Sequence, residues 1–252
     1  MTSSIANRSI GPSHVDVAAA PLSIDSAAMT QLQVEGENQQ VEGLADLLAA
    51  LDAVSHTSSE IRVDTRERIL AAAIPLFARR GFQACTVKEI ATEVGIKPPG
   101  LYAHFTSKEA ILAAAMSRQL SKFLAAVLGP DDGPDPRARL EGIVRRHVGY
   151  QITNLPTTAS NDVLLNNAAV EDALGEDTYR LLRRAQRAYV DHVEQLIIAT
   201  NAAATTHSRV AALALLSHCD HVTIWYHANG TLTPQQVIDD YWVLAARMLG
   251  LA

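Results

Sequence analysis

Cysteine is scarce in this chain, which holds Cys85 and Cys219 and no more, too few for a disulfide framework. No run of about twenty apolar residues occurs, and the N-terminus lacks the basic-then-apolar pattern of a secretory signal. The expectation is therefore a soluble, cytoplasmic protein without a membrane span. A glycine-framed nucleophile, a phosphate loop and a metal-ligand signature are also missing, so neither an enzyme nor a bound cofactor is expected. An excess of basic over acidic residues is confined to one segment. Residues 1–61 carry one Arg against eight acids, residues 111–252 carry twelve Lys and Arg against fourteen, and residues 62–110 carry eight against five. The net charge of −6 argues against general nucleic-acid binding. Its distribution instead suits a small DNA-reading head on a neutral-to-acidic body.

The positive segment contains Thr86–Glu109, TVKEIATEVGIKPPGLYAHFTSKE. Thr86 and Glu89 form a capping box that starts a helix. Val87, Ile90, Ala91 and Val94 share its inner face, and Gly95 permits the left-handed turn that ends it. Pro98 suits the first turn of a second, short helix, which Leu101, Tyr102 and Phe105 can hold against its neighbours. Lys97, Pro99, Gly100, Ala103 and His104 remain on the front. A short helix with an apolar back and such a front has the dimensions to lie in a DNA major groove.

These residues, together with Phe77, Gly81-Phe82, Gly95-Ile96, Leu101-Tyr102, His104-Phe105 and Ser107-Lys108, resemble the TetR/AcrR family of one-component transcriptional regulators. The resemblance implies an all-α homodimer: a three-helix helix-turn-helix DNA-binding domain followed by a helical domain that binds a small effector, dimerises and releases operator DNA. Residues 62–110 correspond to the first domain and 111–252 to the second. On this footing Arg62, Arg66, Thr86, Lys97, Pro98, Pro99, Gly100, Tyr102, Ala103, His104 and Lys108 are the candidate DNA-binding residues. Lys97 is the candidate base reader, and Tyr102, His104 and Lys108 are expected on phosphates. Lys97 departs from the family, which often has a Ser or Thr helix cap there. The ending from Trp225-Tyr226 through Gly230 to Gly250-Leu251 is similar to that of family members responding to acyl-CoA thioesters.

Residues 1–61 read as a largely disordered acidic extension, because they lack the bulky apolar content that would offset ordering. Within it, Leu44, Leu47, Leu48, Leu51 and Val54 make a candidate amphipathic helix at 41–54, docked on its own protein or offered to a partner. Asp64 and Glu67 suggest a capping box for a helix running to Gly81, and Pro75 inside it predicts a bend unless the bundle compensates. Ser107 caps a long helix ended by Gly129-Pro130, and this helix is the candidate for transmitting a signal between domains. Helices follow over Arg137–Thr153, Asn161–Val170, Glu176–Thr200, Ser208–His227 and Thr233–Leu249. The last two carry apolar stripes suited to a twofold four-helix interface.

In the body, His147, Gln151, Tyr179, Arg183, Gln186, His218 and Trp225 are the candidate effector-binding residues. Arginines 180, 183, 184 and 187 could meet an anionic group or simply form a solvated, acid-paired face. His218, Cys219, Asp220 and His221 are all metal-ligating types, but Cys219 and Asp220 point away from the histidine pair, so no metal is expected. The rival to effector sensing is a helix-turn-helix adaptor controlled by a protein partner through the N-terminal extension.

Overall fold

The computed structural model describes residues 43–55, 63–129, 132–165, 168–201 and 207–251, and every regular element among them is helical. Expectations for residues 1–42 and for Arg62 lie outside the described residues. In chain order the helices are α1 (Leu44–Ser55), α2 (Val63–Arg80), α3 (Val87–Val94), α4 (Pro98–Tyr102), α5 (Lys108–Leu128), α6 (Pro136–Thr153), α7 (Leu155–Leu165), α8 (Ala168–Leu174), α9 (Glu176–Ala199), α10 (Ser208–Asp220), α11 (Val222–Trp225) and α12 (Pro234–Met248).

Local chemistry sets most of the boundaries. Thr86 accepts from the Glu89 amide at 3.2 Å while the Glu89 carboxylate accepts from the Thr86 amide at 2.8 Å, which closes the capping box of α3. Gly95 ends α3 at φ 75°, and the Ile96 amide turns back to the Ala91 carbonyl at 2.9 Å. Ser107 caps α5, Asp135 caps α6 ahead of Pro136, and Thr233 with Gln236 forms a second capping box ahead of Pro234. Helix α2 already includes Val63, so Asp64 falls inside its first turn rather than before it. The helix also runs through Pro75 without a break.

Further boundaries differ from the sequence expectation: in place of the one helix expected over Asn161–Val170, two stand, α7 and α8. Leu155-Pro156 closes α6 but also opens α7, since proline suits a first turn as well as it breaks an interior. The element expected over Ser208–His227 is interrupted at His221. There the Thr223 hydroxyl donates to the Asp220 carbonyl at 2.9 Å, and the Asp220 carboxylate is drawn toward α6.

Helices α2, α3 and α4 pack as a small unit around Ile69, Phe77, Ile90, Leu101 and Phe105. Helix α5 runs from that unit into the larger bundle, between α1 and α2 on one side and α6 on the other. By length and composition α5 could cross a membrane, yet half of it is buried inside the fold and it carries Lys108, Glu109, Arg118 and Lys122. Helix α6 sits centrally, touching α5, α9, α10, α11 and α12. Its Leu140, Val144 and Val148 are fully or almost fully enclosed, which makes it the axle of the body.

Candidate nucleic-acid interface and effector site

Helix α4 is two-sided. Leu101 is wholly buried and Phe105, just past its end, nearly so, whereas Lys97, Pro99, Gly100, Tyr102 and Ala103 are exposed and His104 is half-buried. Tyr102 is 55% exposed, which is high for an aromatic ring with no surface function. Lys97 precedes the helix in an extended conformation and makes no side-chain cap bond, so its ammonium projects from the rim and not into the backbone. An added Cβ at Gly100 would reach no nearer than 4.0 Å to Ile96. The local fold therefore does not require glycine at this position, and its bareness keeps the front of the helix low enough for close approach by another backbone.

Three of the expected DNA contacts are spoken for inside the protein. Arg66 is 9% exposed, its Nη1 donates to the Ser55 carbonyl, and its guanidinium lies 4.5 Å from the centre of the Phe105 ring. Lys108 turns inward, donating to the carbonyls of Phe82, Gln83 and Cys85 at 2.8, 3.3 and 3.1 Å, with its ammonium over the Phe82 ring. Both side chains go where unsatisfied carbonyls and aromatic faces offer low-dielectric partners, which outbid hydration. Thr86 is exposed, but its hydroxyl is engaged with Glu89. Arg66 and Lys108, both candidates for DNA contact, thus make internal ties in this structure. A cation missed in the sequence is Lys88, exposed on α3 away from Ile90, and the same periodicity that defines the buried face could have found it.

The effector candidates fall into three groups. Inside the body, His147 and Gln151, one turn apart on α6, converge on one carboxylate oxygen of Asp220 at 2.8 and 2.7 Å. Tyr189 from α9 meets His147 Nδ1 at 3.2 Å. Burial, with Cys219 and Asp220 nearby, pushes the Tyr189 phenol well above its ordinary pKa, so it keeps its proton. The Gln151 amide oxygen is buried and has no partner among the described residues. Phe123 of α5 stands edge-on to His147, Tyr150 and Tyr189, with ring centres 4.8, 5.4 and 5.5 Å away.

The second group lies on α9, where the Arg183 Nε donates to the Tyr179 hydroxyl at 3.1 Å and Gln186 is half-buried. The third joins α10, α11 and α12. His218 stacks on Tyr241 with ring centres 4.4 Å apart, and the Trp225 indole donates to the Tyr241 hydroxyl at 2.9 Å. Burial, aided by His221, depresses the His218 pKa. Sequence reasoning missed Tyr189, Phe123 and Tyr241 as partners of these residues, because aromatic residues at helical spacing look like any other core. Asp220 was visible only as a metal-ligating type. Here it anchors the interior polar cluster instead, while Cys219 is buried and His221 exposed.

A model described as bacterial regulatory proteins of the tetR family matches residues 69–115, and one described as the tetracyclin repressor-like C-terminal domain matches residues 133–249. YerO of Bacillus subtilis (strain 168), an uncharacterised HTH-type transcriptional regulator, is 50% identical over 52 residues, which make up 21% of this chain and 18% of that protein. The chain thus spans about a fifth of that relative's length in the match. The crystal structure of a tetR-family regulatory protein from Rhodococcus RHA1 superposes with a TM-score of 0.65 at 26% identity, covering 77% of this chain and 100% of that one. AibR, solved with isovaleryl coenzyme A and operator DNA, has the same fold, with a TM-score of 0.59 at 24% identity over 73% of this chain and 97% of its own.

Proposed function

Because the chain belongs to the tetR family of bacterial regulatory proteins, we propose that it is a ligand-responsive one-component transcription regulator, a repressor that binds a near-palindromic operator as a homodimer. The observation that carries this reading is the two-sided α4. Its back is locked by Leu101 and Phe105, and its front presents Lys97, Pro99, Gly100, Tyr102 and Ala103 to solvent. Lys97 reads guanine acceptors, Tyr102 and His104 meet phosphates, and Gly100 admits the duplex backbone. In the dimer, two such helices sit roughly 34–36 Å apart, on successive major-groove faces.

Dimerisation falls to α10 and α12. Val210 and Ala214 are exposed one turn apart on α10, Leu244 and Met248 one turn apart on α12, and Ile224 of α11 and Val243 are exposed as well. Val222, Val237, Tyr241, Ala245 and Leu249 fill the protomer's own core. A twofold mate would cover the remaining apolar residues, whose joint exposure is unusual for a monomer.

The effector is a small hydrophobic molecule or an acyl-CoA thioester. His147, Gln151 and Asp220 offer a polar end among aromatic walls, and Arg183 offers a cation to an anionic part. AibR is the precedent within this fold for acyl-CoA and operator DNA on one chain. Binding near Phe123 would shift α5 and with it the spacing of the two α4 helices. A preference of about 2.7 kcal/mol for the released conformer gives a hundredfold loss of operator affinity.

The test is selection of bound fragments from a genomic pool by the purified full chain, repeated with a panel of acyl-CoA thioesters and hydrophobic acids. A palindromic site released by one compound class is the expected result. Sequence-specific binding that no compound disturbs removes the effector half of the reading, and failure to select any sequence removes the whole.

A further inference from the structure

The N-terminal helix α1 lies before both family-matched regions, yet it is knitted into the protein at two levels. On its inner side Leu47 and Leu51 are buried, and the helix packs along α5 and α9 of the body. At its C-terminal end the contacts change in kind. Asp52 accepts from the Ser121 hydroxyl of α5 at 2.6 Å, and Arg118 of α5 stands between Asp52 at 3.7 Å and Glu67 of α2 at 3.1 Å. The Ser55 carbonyl takes the Arg66 guanidinium, whose face covers the ring of Phe105.

Phe105 is the rear anchor of α4. A continuous set of contacts therefore runs from the body through α1, across Arg66, to the back of the helix whose front meets DNA, by a route separate from the covalent one along α5. We propose that α1 is a brace and Arg66 its positioning residue, together holding α4 in the orientation that reads sequence. This rests on the reading of α4 as the DNA-reading element. Arg66 suits the task because its planar fork can hold a carbonyl at its edge while its face stays on an aromatic ring, a combination lysine's point charge does not reproduce. Leu51 suits it because a wholly buried leucine on a short helix decides whether that helix docks at all. Motion of α5 or α9 would thus reach α4 through the brace as well as through the chain and the packing of α2 on α5 and α7.

The experiment compares full-length wild type with Arg66→Met, Leu51→Glu, the double variant and Arg66→Lys. Amide hydrogen exchange at Leu101–Phe105 is read first, because it needs no DNA. Exchange at least tenfold faster is expected in Arg66→Met and in Leu51→Glu, with no further gain in the double variant and a partial return in Arg66→Lys. Binding to selected and random duplexes is read second. The ratio of specific to non-specific affinity should fall about tenfold, with the salt slope unchanged in Arg66→Met. A slope reduced by about 0.9 would make Arg66 a phosphate contact and overturn the proposal. Unaltered exchange at α4 in Leu51→Glu would overturn it as well. If no duplex is selected by any form, the DNA-reading premise fails, while the exchange data still decide whether α1 and α4 are coupled. Asp52→Ala, at the half-buried edge of α1, replaces either variant that does not fold, with the same faster exchange expected and unaltered exchange overturning the proposal.

Discussion

At the scale of single residues, the front of α4 and the ties behind it respond differently to substitution. Lys97→Ala should flatten the preference among operator variants while leaving thermal stability near wild type, because the side chain is exposed and caps nothing. Gly100→Ala is the sharper case. The fold has room for the methyl group and a helix favours alanine, so the melting temperature should hold or rise while operator affinity falls. Lys108→Ala should do the reverse. Losing three carbonyl contacts leaves those oxygens to find other donors, at a cost of about 1–3 kcal/mol, and the salt slope of DNA binding should not change. Thermal melts alongside binding isotherms at several salt concentrations separate the three. In the body, Asp220→Ala leaves His147 and Gln151 buried without their shared acceptor and should also cost roughly 1–3 kcal/mol.

At the scale of elements, the join between α5 and α6 depends on one charge pair. Arg146 clasps both oxygens of Asp132 at 2.7 Å and donates to the Val127 carbonyl at the end of α5, so it fastens the two helices across their loop. These hydrogen bonds hold the Asp132 carboxyl below its usual pKa, burial opposing them only in part. A depressed carboxyl pKa means that the unfolded chain takes up the proton first. The stabilisation is thus complete above the unfolded value, roughly pH 3.9, and is lost as pH falls through the lower folded value. Asp132→Asn should flatten the acid limb of the stability curve between about pH 5 and pH 2, measured by denaturant titration. Gly142 makes an independent check. A Cβ there would overlap the Asp132 carboxylate, so Gly142→Ala should displace the pair and mimic Asp132→Asn despite alanine's higher helix propensity.

At the scale of the whole molecule, the exposed stripes on α10 and α12 should decide the assembly. Leu244 is 49% and Met248 48% exposed in the protomer, and they lie one turn apart on one face of α12. Leu244→Arg should shift sedimentation from dimer to monomer without altering the protomer's helical content. With the two α4 helices unlinked, operator binding should drop by far more than any single base contact would cause. If Leu244→Arg sediments as the wild type does, this face of α12 does not join two copies of the chain.

The three-helix unit and the main helices of the body were legible in the residues because their signals are local. Thr86 and Glu89 cap one another within one turn, Gly95 takes up a left-handed conformation that other residues resist, and Pro98 needs no amide partner at a helix start. The exposed front of α4 follows from those boundaries, since 3.6 residues per turn assign each side chain a face. Local rules also mark where legibility stops. Pro156 could end one helix or begin the next, and it does both, while the break at His221 depends on where Asp220 is pulled.

What only the tertiary structure decided is the destination of long polar side chains. Arg66 reaches Ser55 and Phe105, Lys108 reaches back to the turn after α2, and Asp220 meets His147 from 73 residues away. The sequence by itself determined that these are a cation near a helix start, a cation in a first turn and an acid on an apolar helix. Whether such a group faces solvent, DNA or the interior depends on which carbonyls and rings packing leaves within its reach, and that is a property of the assembled bundle rather than of any one segment.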